Sequence, residues 1–217
     1  MPAGWSLPPA ASPINTTDIL HAVRAGFGQE KTVHDVKQSL HDYFGAAHVS
    51  LVSSGTGALC LALRALHAHY PARNRVLIPA YSCYSVPAAV EAAGLSAMLC
   101  DVDPQTLDFD YADLSFRLQQ YADTLVAVVP IHLYGIPADI NRIRALCRKY
   151  DIAIIEDAAQ AMGATYEGKP AGMHGDIGVF SLGRGKALSA VEGGIVLTND
   201  SRFAKTLDTL IGPLATY

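Results

Sequence analysis

The 217 residues, half of them hydrophobic, suffice for one sizeable core and exclude a disordered chain. A net charge of −4, with no lysine or arginine cluster on a predicted helix, offers nothing to nucleic acid. Cys60, Cys83, Cys100 and Cys147 are widely spaced without a C-x-x-C pair, which argues against a zinc ribbon or a compact disulfide framework and for reduced cytosolic thiols.

Residues 1–28, beginning MPAGWSLPPAASPINTTD, read as a Pro/Ser-rich lead-in. With no basic residue before Arg24 and no long apolar core, they lack the features of a secretory signal. From residue 29 onward short β-rich runs alternate with helical patterns. That order predicts an α/β fold, a three-layer αβα sandwich around a mainly parallel sheet.

Val33, Val36, Leu40, Tyr43 and Phe44 fall at helical spacing and predict a helix over 33–44. A strand over 48–52 passes into a leucine-rich helix over 57–69, and a strand over 75–78 is closed by Pro79. A helix over 86–93 follows, with Gly94 as its C-terminal cap, then a strand over 96–102 and a turn at Asp103-Pro104. Asp110 caps a helix over 111–120, because an aspartate side chain accepts from the exposed amides of a first turn.

A buried-type strand over 125–129 comes next, then a helix that Asp139 caps and that ends near Tyr150, then a strand over 152–155. Strands over 177–181 and 195–198 form a hairpin, and a helix over 201–210 closes the pattern. The longest uncharged apolar run, 124–138, is broken by Pro130, His132 and Pro137 and falls short of the about 20 residues that span a bilayer. A soluble cytoplasmic protein is expected, with no linker or repeat between residues 29 and 217.

Three constellations carry chemistry. In Ser53-Ser54-Gly55-Thr56-Gly57 a strand turns into a helix, where free amides and the positive dipole end would hold a phosphate; a purely structural turn is the competing reading. A dinucleotide motif is disfavoured because Cys60 stands where the third glycine belongs and no acid closes the next strand. Lys186 does not complete a Walker loop, since Ala187 follows it.

Glu156-Asp157 lies at the carboxyl end of an apolar strand, where open α/β sheets bind ligands. Asp157 could face a pyridine nitrogen and Gln160 could donate to a ring oxygen, or Asp157 could cap a turn beside a solvated Glu156. Lys186, in Gly183-Arg184-Gly185-Lys186, is either a solvated charge or an amine for an aldehyde, with Ser181 adding a hydroxyl to the phosphate and Arg184 free for an anion. Acid, amide, lysine and phosphate cradle together suggest a Schiff-base site for pyridoxal 5'-phosphate. His132 either faces this cleft or is packed. Tyr81, Cys83 and Tyr84 are core residues or partners for a stacked ring. No metal site is expected.

SSGTGAL, IPAYSCYSVPAAVEAAG, DVDPQTLDFD, PIHLYG, IIEDAAQAMGATYEGKPAGMHGDIGVFSL and EGGIVLTND occur in an order that resembles the DegT/StrS family of pyridoxal-phosphate-dependent sugar aminotransferases, of fold type I. The resemblance covers about residues 25 to 210. It implies that Gly55, Thr56 and Gly57 cradle phosphate, Asp157 pairs with the pyridine nitrogen, Gln160 meets the ring hydroxyl, Ser181 binds phosphate and Lys186 forms the Schiff base and shuttles the proton.

The same resemblance implies an amino donor and a nucleotide-linked keto sugar as substrates, and a homodimer. Cys83 stands where the family usually has a stacking aromatic, leaving Tyr81 or Tyr84 for that role. Leu182, Arg184 and Ala187 replace the usual aromatic, proline and asparagine around the lysine. Family members continue into a smaller C-terminal domain, which this sequence does not include. Two other readings stay open: a domain that binds cofactor without turnover, and a lyase or dehydratase.

Overall fold

The computed structural model describes residues 16–25 and 29–212. Helices α1 (Thr16–Ala25) and α2 (Gln29–Phe44) precede strand β1 (His48–Val52), α3 (Gly55–His69), β2 (Arg75–Pro79), α4 (Ser85–Ala92) and β3 (Ser96–Cys100). Then come α5 (Tyr111–Tyr121), β4 (Leu125–Val128), α6 (Ile140–Cys147) and β5 (Ala153–Asp157). A small hairpin of β6 (Thr165–Tyr166) and β7 (Lys169–Pro170) leads to β8 (Ile177–Ser181), β9 (Gly194–Thr198) and α7 (Ser201–Ile211).

Seven strands form one sheet in the order β1-β9-β8-β5-β4-β2-β3, and only β9 runs against its neighbours. Alternate residues of each strand point to opposite faces, so one strand feeds two cores. Ile177 and Val179 of β8 join Val196 of β9 beneath α3, α4 and α7, where Leu63, Leu66, Val90 and Leu207 are buried. On the other face Phe180, Ile195 and Leu197 pack with Leu40 and Phe44 of α2. Leu77, Val128 and Ile154 pack there with Leu114 and Leu118 of α5 and Ile140 and Ile143 of α6. Helices on both faces of a mainly parallel sheet are the expected sandwich.

Element boundaries moved for identifiable reasons. A helix occupies Thr16–Ala25, within what the composition presents as a lead-in; residues 1–15 and 26–28 of that segment lie outside the described residues. Helix α2 starts before Val33, and of its predicted apolar face only Leu40 and Phe44 are buried, while Val33, Val36 and Tyr43 are exposed. β3 stops at Cys100 because the amide of Asp101 turns to the Asp113 carboxylate at 2.9 Å. α6 ends at Cys147 and tightens into a 3-10 turn before Asp151 takes a left-handed backbone.

The change that matters most is β5, which runs through Asp157. The amide of Asp157 donates to the Pro130 carbonyl at 2.9 Å, and its carbonyl accepts from His132 at 3.0 Å. This extra pairing holds the chain extended past the apolar run. The predicted caps Asp110 and Asp139 both accept first-turn amides. Gly94 has φ +79°, a left-handed backbone just past α4 that suits glycine.

Among the described residues no helix is long and apolar enough to cross a membrane, and no group of three or more His, Cys, Asp or Glu could hold a metal ion.

Candidate active site

The carboxyl ends of β1, β5 and β8 converge on a cavity of about 180 Å³ whose lining includes Ser54, Gly55, Thr56, Asp157, Ser181 and Lys186. Ser54 caps α3: its backbone is extended and its Oγ accepts the amide of Gly57 at 3.0 Å. First-turn amides have no carbonyl one turn back, so those of Gly55 and Thr56 are left for an anion at the positive end of the helix. Gly57, expected as a further phosphate donor, has its amide on Ser54 and does not line the cavity.

Gly55 makes the cradle possible. A Cβ on it would lie 2.6 Å from Ser181 Cβ and 3.0 Å from Ser181 Oγ. Only a residue without a side chain lets α3 begin this close to the end of β8, putting amides and hydroxyls on one wall.

Lys186 reaches the same cavity because β9 returns antiparallel along β8, with Ser181 opposite Gly194. The connection between them must therefore start and finish at the carboxyl edge. It is pinned there by the Leu182 amide to the Gly193 carbonyl at 2.8 Å and the Lys186 amide to the Gly183 carbonyl at 3.2 Å. Arg184 is exposed and does not line the cavity.

Asp157 is 8% exposed, and its carboxylate accepts one amide, that of Ala159 at 3.0 Å. Burial pushes this carboxyl up from its ordinary value, against the pull of the Ala159 amide and the Lys186 charge. A buried carboxylate with a single internal donor has acceptor capacity to spare for a charged N–H. Gln160 has its amide oxygen occupied by the Tyr134 N–H at 2.8 Å, which turns its NH₂ into the group left for a ligand.

Of the three residues considered for stacking, Tyr84 is 85% exposed and Tyr81 pairs its hydroxyl with that of Tyr134 at 3.0 Å. Cys83, also outside the cavity lining, is within electrostatic reach of Lys186 and Asp157. Hydrogen bonding with Ser85 holds its thiol below the ordinary value, Lys186 adding to the effect and Asp157 opposing it.

His132 does not face the cleft. It is fully buried, its Nδ1 accepts the Ala138 amide at 3.0 Å, and its Nε2 meets Glu156 Oε2 at 2.9 Å. With Nδ1 an acceptor, Nε2 carries the proton and donates. Glu156 is likewise fully buried rather than solvated, and takes the amides of Gly172 at 2.9 Å, His174 at 2.5 Å and Gly175. Sequence reasoning also passed over Ser85, which lines the cavity, and Tyr134; a positive-φ residue has no signature in a single sequence.

An anion cradle, a buried carboxylate and an amine around one cavity at the carboxyl edge of this sheet match what pyridoxal phosphate requires at its two ends. The fold is that of the pyridoxal-phosphate-dependent aminotransferases.

The chain belongs to the DegT/DnrJ/EryC1/StrS aminotransferase family, whose profile matches residues 17–211. That family and its structural neighbours depend on pyridoxal phosphate.

Among curated relatives, the chain is 34% identical over 178 residues to GDP-perosamine synthase of Caulobacter vibrioides, covering 82% of this chain and 47% of that protein. It is 37% identical over 164 residues to UDP-N-acetyl-3-dehydro-alpha-D-glucosamine 3-aminotransferase of Acidithiobacillus ferrooxidans, covering 75% and 43%. A crystal structure of a sugar aminotransferase from Micromonospora echinospora superposes with a TM-score of 0.80 at 32% identity, over 92% of this chain and 56% of that one. The chain thus spans less than half the length of these two curated relatives.

Proposed function

We propose that residues 29–217 form the cofactor-binding large domain of an aminotransferase that moves an amino group from an amino acid to a keto sugar carried on a nucleotide. The observation that carries this reading is the placement of Lys186, Asp157 and the first turn of α3 around one cavity. Curated relatives with sugar-nucleotide names support the substrate class.

In this reading the Gly55 and Thr56 amides and the Thr56 and Ser181 hydroxyls bind the phosphate, while Asp157 keeps the ring nitrogen protonated and Gln160 donates to the ring oxygen. When bound, the cofactor supplies an electron sink for a carbanion at the substrate carbon. Lys186 Nζ would hold the cofactor through its aldehyde carbon and would serve as the base that moves a proton at the substrate carbon. The raised affinity of Asp157 for a proton favours sharing one with the ring nitrogen. The Val86 and Leu59 side chains lining the cavity exclude water from the reacting end.

We place the protein in the cytoplasm as a homodimer. The free thiols of Cys60, Cys83, Cys100 and Cys147 support the compartment, and the exposed Tyr84, Leu188 and Val191 near the site support a partner.

A second reading, cofactor binding without turnover, is favoured by the loop around Lys186, where Leu182, Arg184 and Ala187 depart from the family's usual pattern. A dehydratase is a third, since the E. coli GDP-4-keto-6-deoxy-D-mannose-3-dehydratase with bound hydrated PLP superposes with a TM-score of 0.80 at 25% identity. Lys186 counts against it, because it supplies the amine that transamination needs.

The test is the visible absorption of the purified chain with added pyridoxal phosphate, before and after borohydride, with the labelled peptide identified by mass. Covalent reduction at Lys186 is expected; labelling elsewhere or nowhere contradicts the assignment. A single-turnover reaction with glutamate then separates an aminotransferase from a silent binding domain.

A further inference from the structure

Beside the cavity stands a pair of tyrosines that the cofactor chemistry does not use. Tyr81, on the loop between β2 and α4, and Tyr134, on the loop after β4, are 51% and 50% exposed, and their hydroxyls meet at 3.0 Å. Each loop also serves the site. Tyr81 lies two residues before Cys83 and four before Ser85, which lines the cavity; the Tyr134 amide holds the side chain of Gln160, next to cavity-lining Ala159.

Tyr134 is held there against its own backbone preference. Its φ of 56° and ψ of 20° place it in the left-handed region, which a bulky residue adopts only when its surroundings over-determine it. Three anchors do so: the amide bond to Gln160 Oε1 at 2.8 Å, the His132 amide on the Asp157 carbonyl at 3.0 Å, and the buried His132–Glu156 contact at 2.9 Å. A strained aromatic that leaves half of its surface exposed is not explained by core packing alone.

The chemistry of the pair selects its ligand. One phenol donates to the other, so the acceptor keeps an outward O–H, and both oxygens keep lone pairs. No basic side chain pairs with either hydroxyl among the described residues. Two half-exposed aromatic rings with neutral donors and acceptors suit a polyhydroxylated ring and offer a carboxylate or phosphate no opposite charge of their own.

We infer that the Tyr81–Tyr134 pair is a specificity rim that recognises the sugar ring of the keto substrate, leaving the amino donor and the nucleotide phosphates to other groups. This rests on the proposed function and says which part of the substrate these residues read.

The test uses the full chain loaded with pyridoxal phosphate and reduced with borohydride, so that binding is measured without turnover. UDP-N-acetylglucosamine, GDP-mannose and dTDP-glucose are titrated by calorimetry, each beside its own nucleoside diphosphate. At least one sugar nucleotide is expected to bind more tightly than its diphosphate. In the Y81F/Y134F double variant, which keeps both rings, that preference should fall about five- to tenfold, as for one or two lost hydrogen bonds, while diphosphate affinity holds.

An equal preference in the variant, or no preference for any sugar in the parent chain, overturns the inference. A loss that affects diphosphate and sugar nucleotide alike also overturns it, since that marks a structural role. Failure of borohydride labelling at Lys186 in the parent chain is a separate result, and sinks the cofactor reading instead.

Discussion

The two faces of the sheet treat neighbouring carboxylates oppositely at the end of β5. On the α6 side Glu156 is buried and saturated by His132 and the amides of Gly172, His174 and Gly175. On the α3 side the buried Asp157 carboxylate accepts the Ala159 amide and faces a cavity. Burial pushes the Glu156 carboxyl up, but His132 and the Gly175 and Gly172 amides outweigh it and hold it below its ordinary value. For Asp157 burial wins and the carboxyl is raised. Two adjacent acids thus differ in kind, Glu156 a fastener and Asp157 the proposed reagent, and the number of donors each receives separates them.

The largest expected effect breaks the fastener. Glu156→Ala leaves the His132 N–H and three amides buried without an acceptor, so we predict a loss of about 4 kcal/mol or more in unfolding free energy. Denaturant unfolding measures it; a loss under 1 kcal/mol would mean the loop at 172–175 is not held by Glu156.

Asp157→Asn should do the reverse. We predict that it leaves unfolding free energy within about 1 kcal/mol of the parent while slowing reaction with an amino donor by about a thousandfold, near 4 kcal/mol of transition-state stabilisation. Stopped-flow absorbance with glutamate reads the rate, and a parent-like rate contradicts the role given to Asp157.

Gly55→Ala sharpens the comparison from the cradle side. A methyl 2.6 Å from Ser181 Cβ must push α3 away from β8. A cost of about 1–3 kcal/mol in stability is predicted, with at least about tenfold weaker cofactor binding. Titration with pyridoxal phosphate checks it; unaltered affinity would detach the cradle from the phosphate.

The smallest effects are in pH dependence, and they have opposite signs. The Glu156 carboxyl is lowered in the folded state, so its stabilisation is present above its ordinary value of 4.5 and is lost as pH falls through the folded value. The Asp157 carboxyl is raised, so folding is favoured by its protonated form and that advantage is lost as pH rises through the folded value. Unfolding free energy against pH should therefore be flatter on the acid side in Glu156→Gln. Asp157→Asn should gain relative to the parent as pH rises toward neutrality. Parallel curves for all three proteins would show that the two acids do not differ.

Much of this was legible in the chain. Alternation of β-rich runs with helical patterns predicted the sandwich, because periodicity follows directly from which faces must be buried. Asp110 and Asp139 were readable as caps because a cap is settled within three residues. Lys186, Asp157, Ser181, Gly55 and Thr56 could be named as candidates that would share one cavity, because each follows a strand-like run and parallel strands bring their ends to one edge. What stayed open had a remote partner. A solvated Glu156 and a cleft-facing His132 were alternatives that sequence could not close, and each residue is the other's buried partner across 24 positions. The Gly57 amide, expected on a phosphate, lies on the Ser54 hydroxyl, a competitor that appears only when the cap forms.

The sequence by itself determined the class of fold, the order of the elements and the residue types that can hold a phosphate and an aldehyde. These depend on local periodicity and on where strands must end. Tertiary structure alone decided that Glu156 would be the buried, saturated partner of His132, and that Tyr134 would be strained into place beside Tyr81. Those outcomes depend on donors supplied by loops distant in the chain, and no local pattern records which of two neighbouring acids those donors will reach.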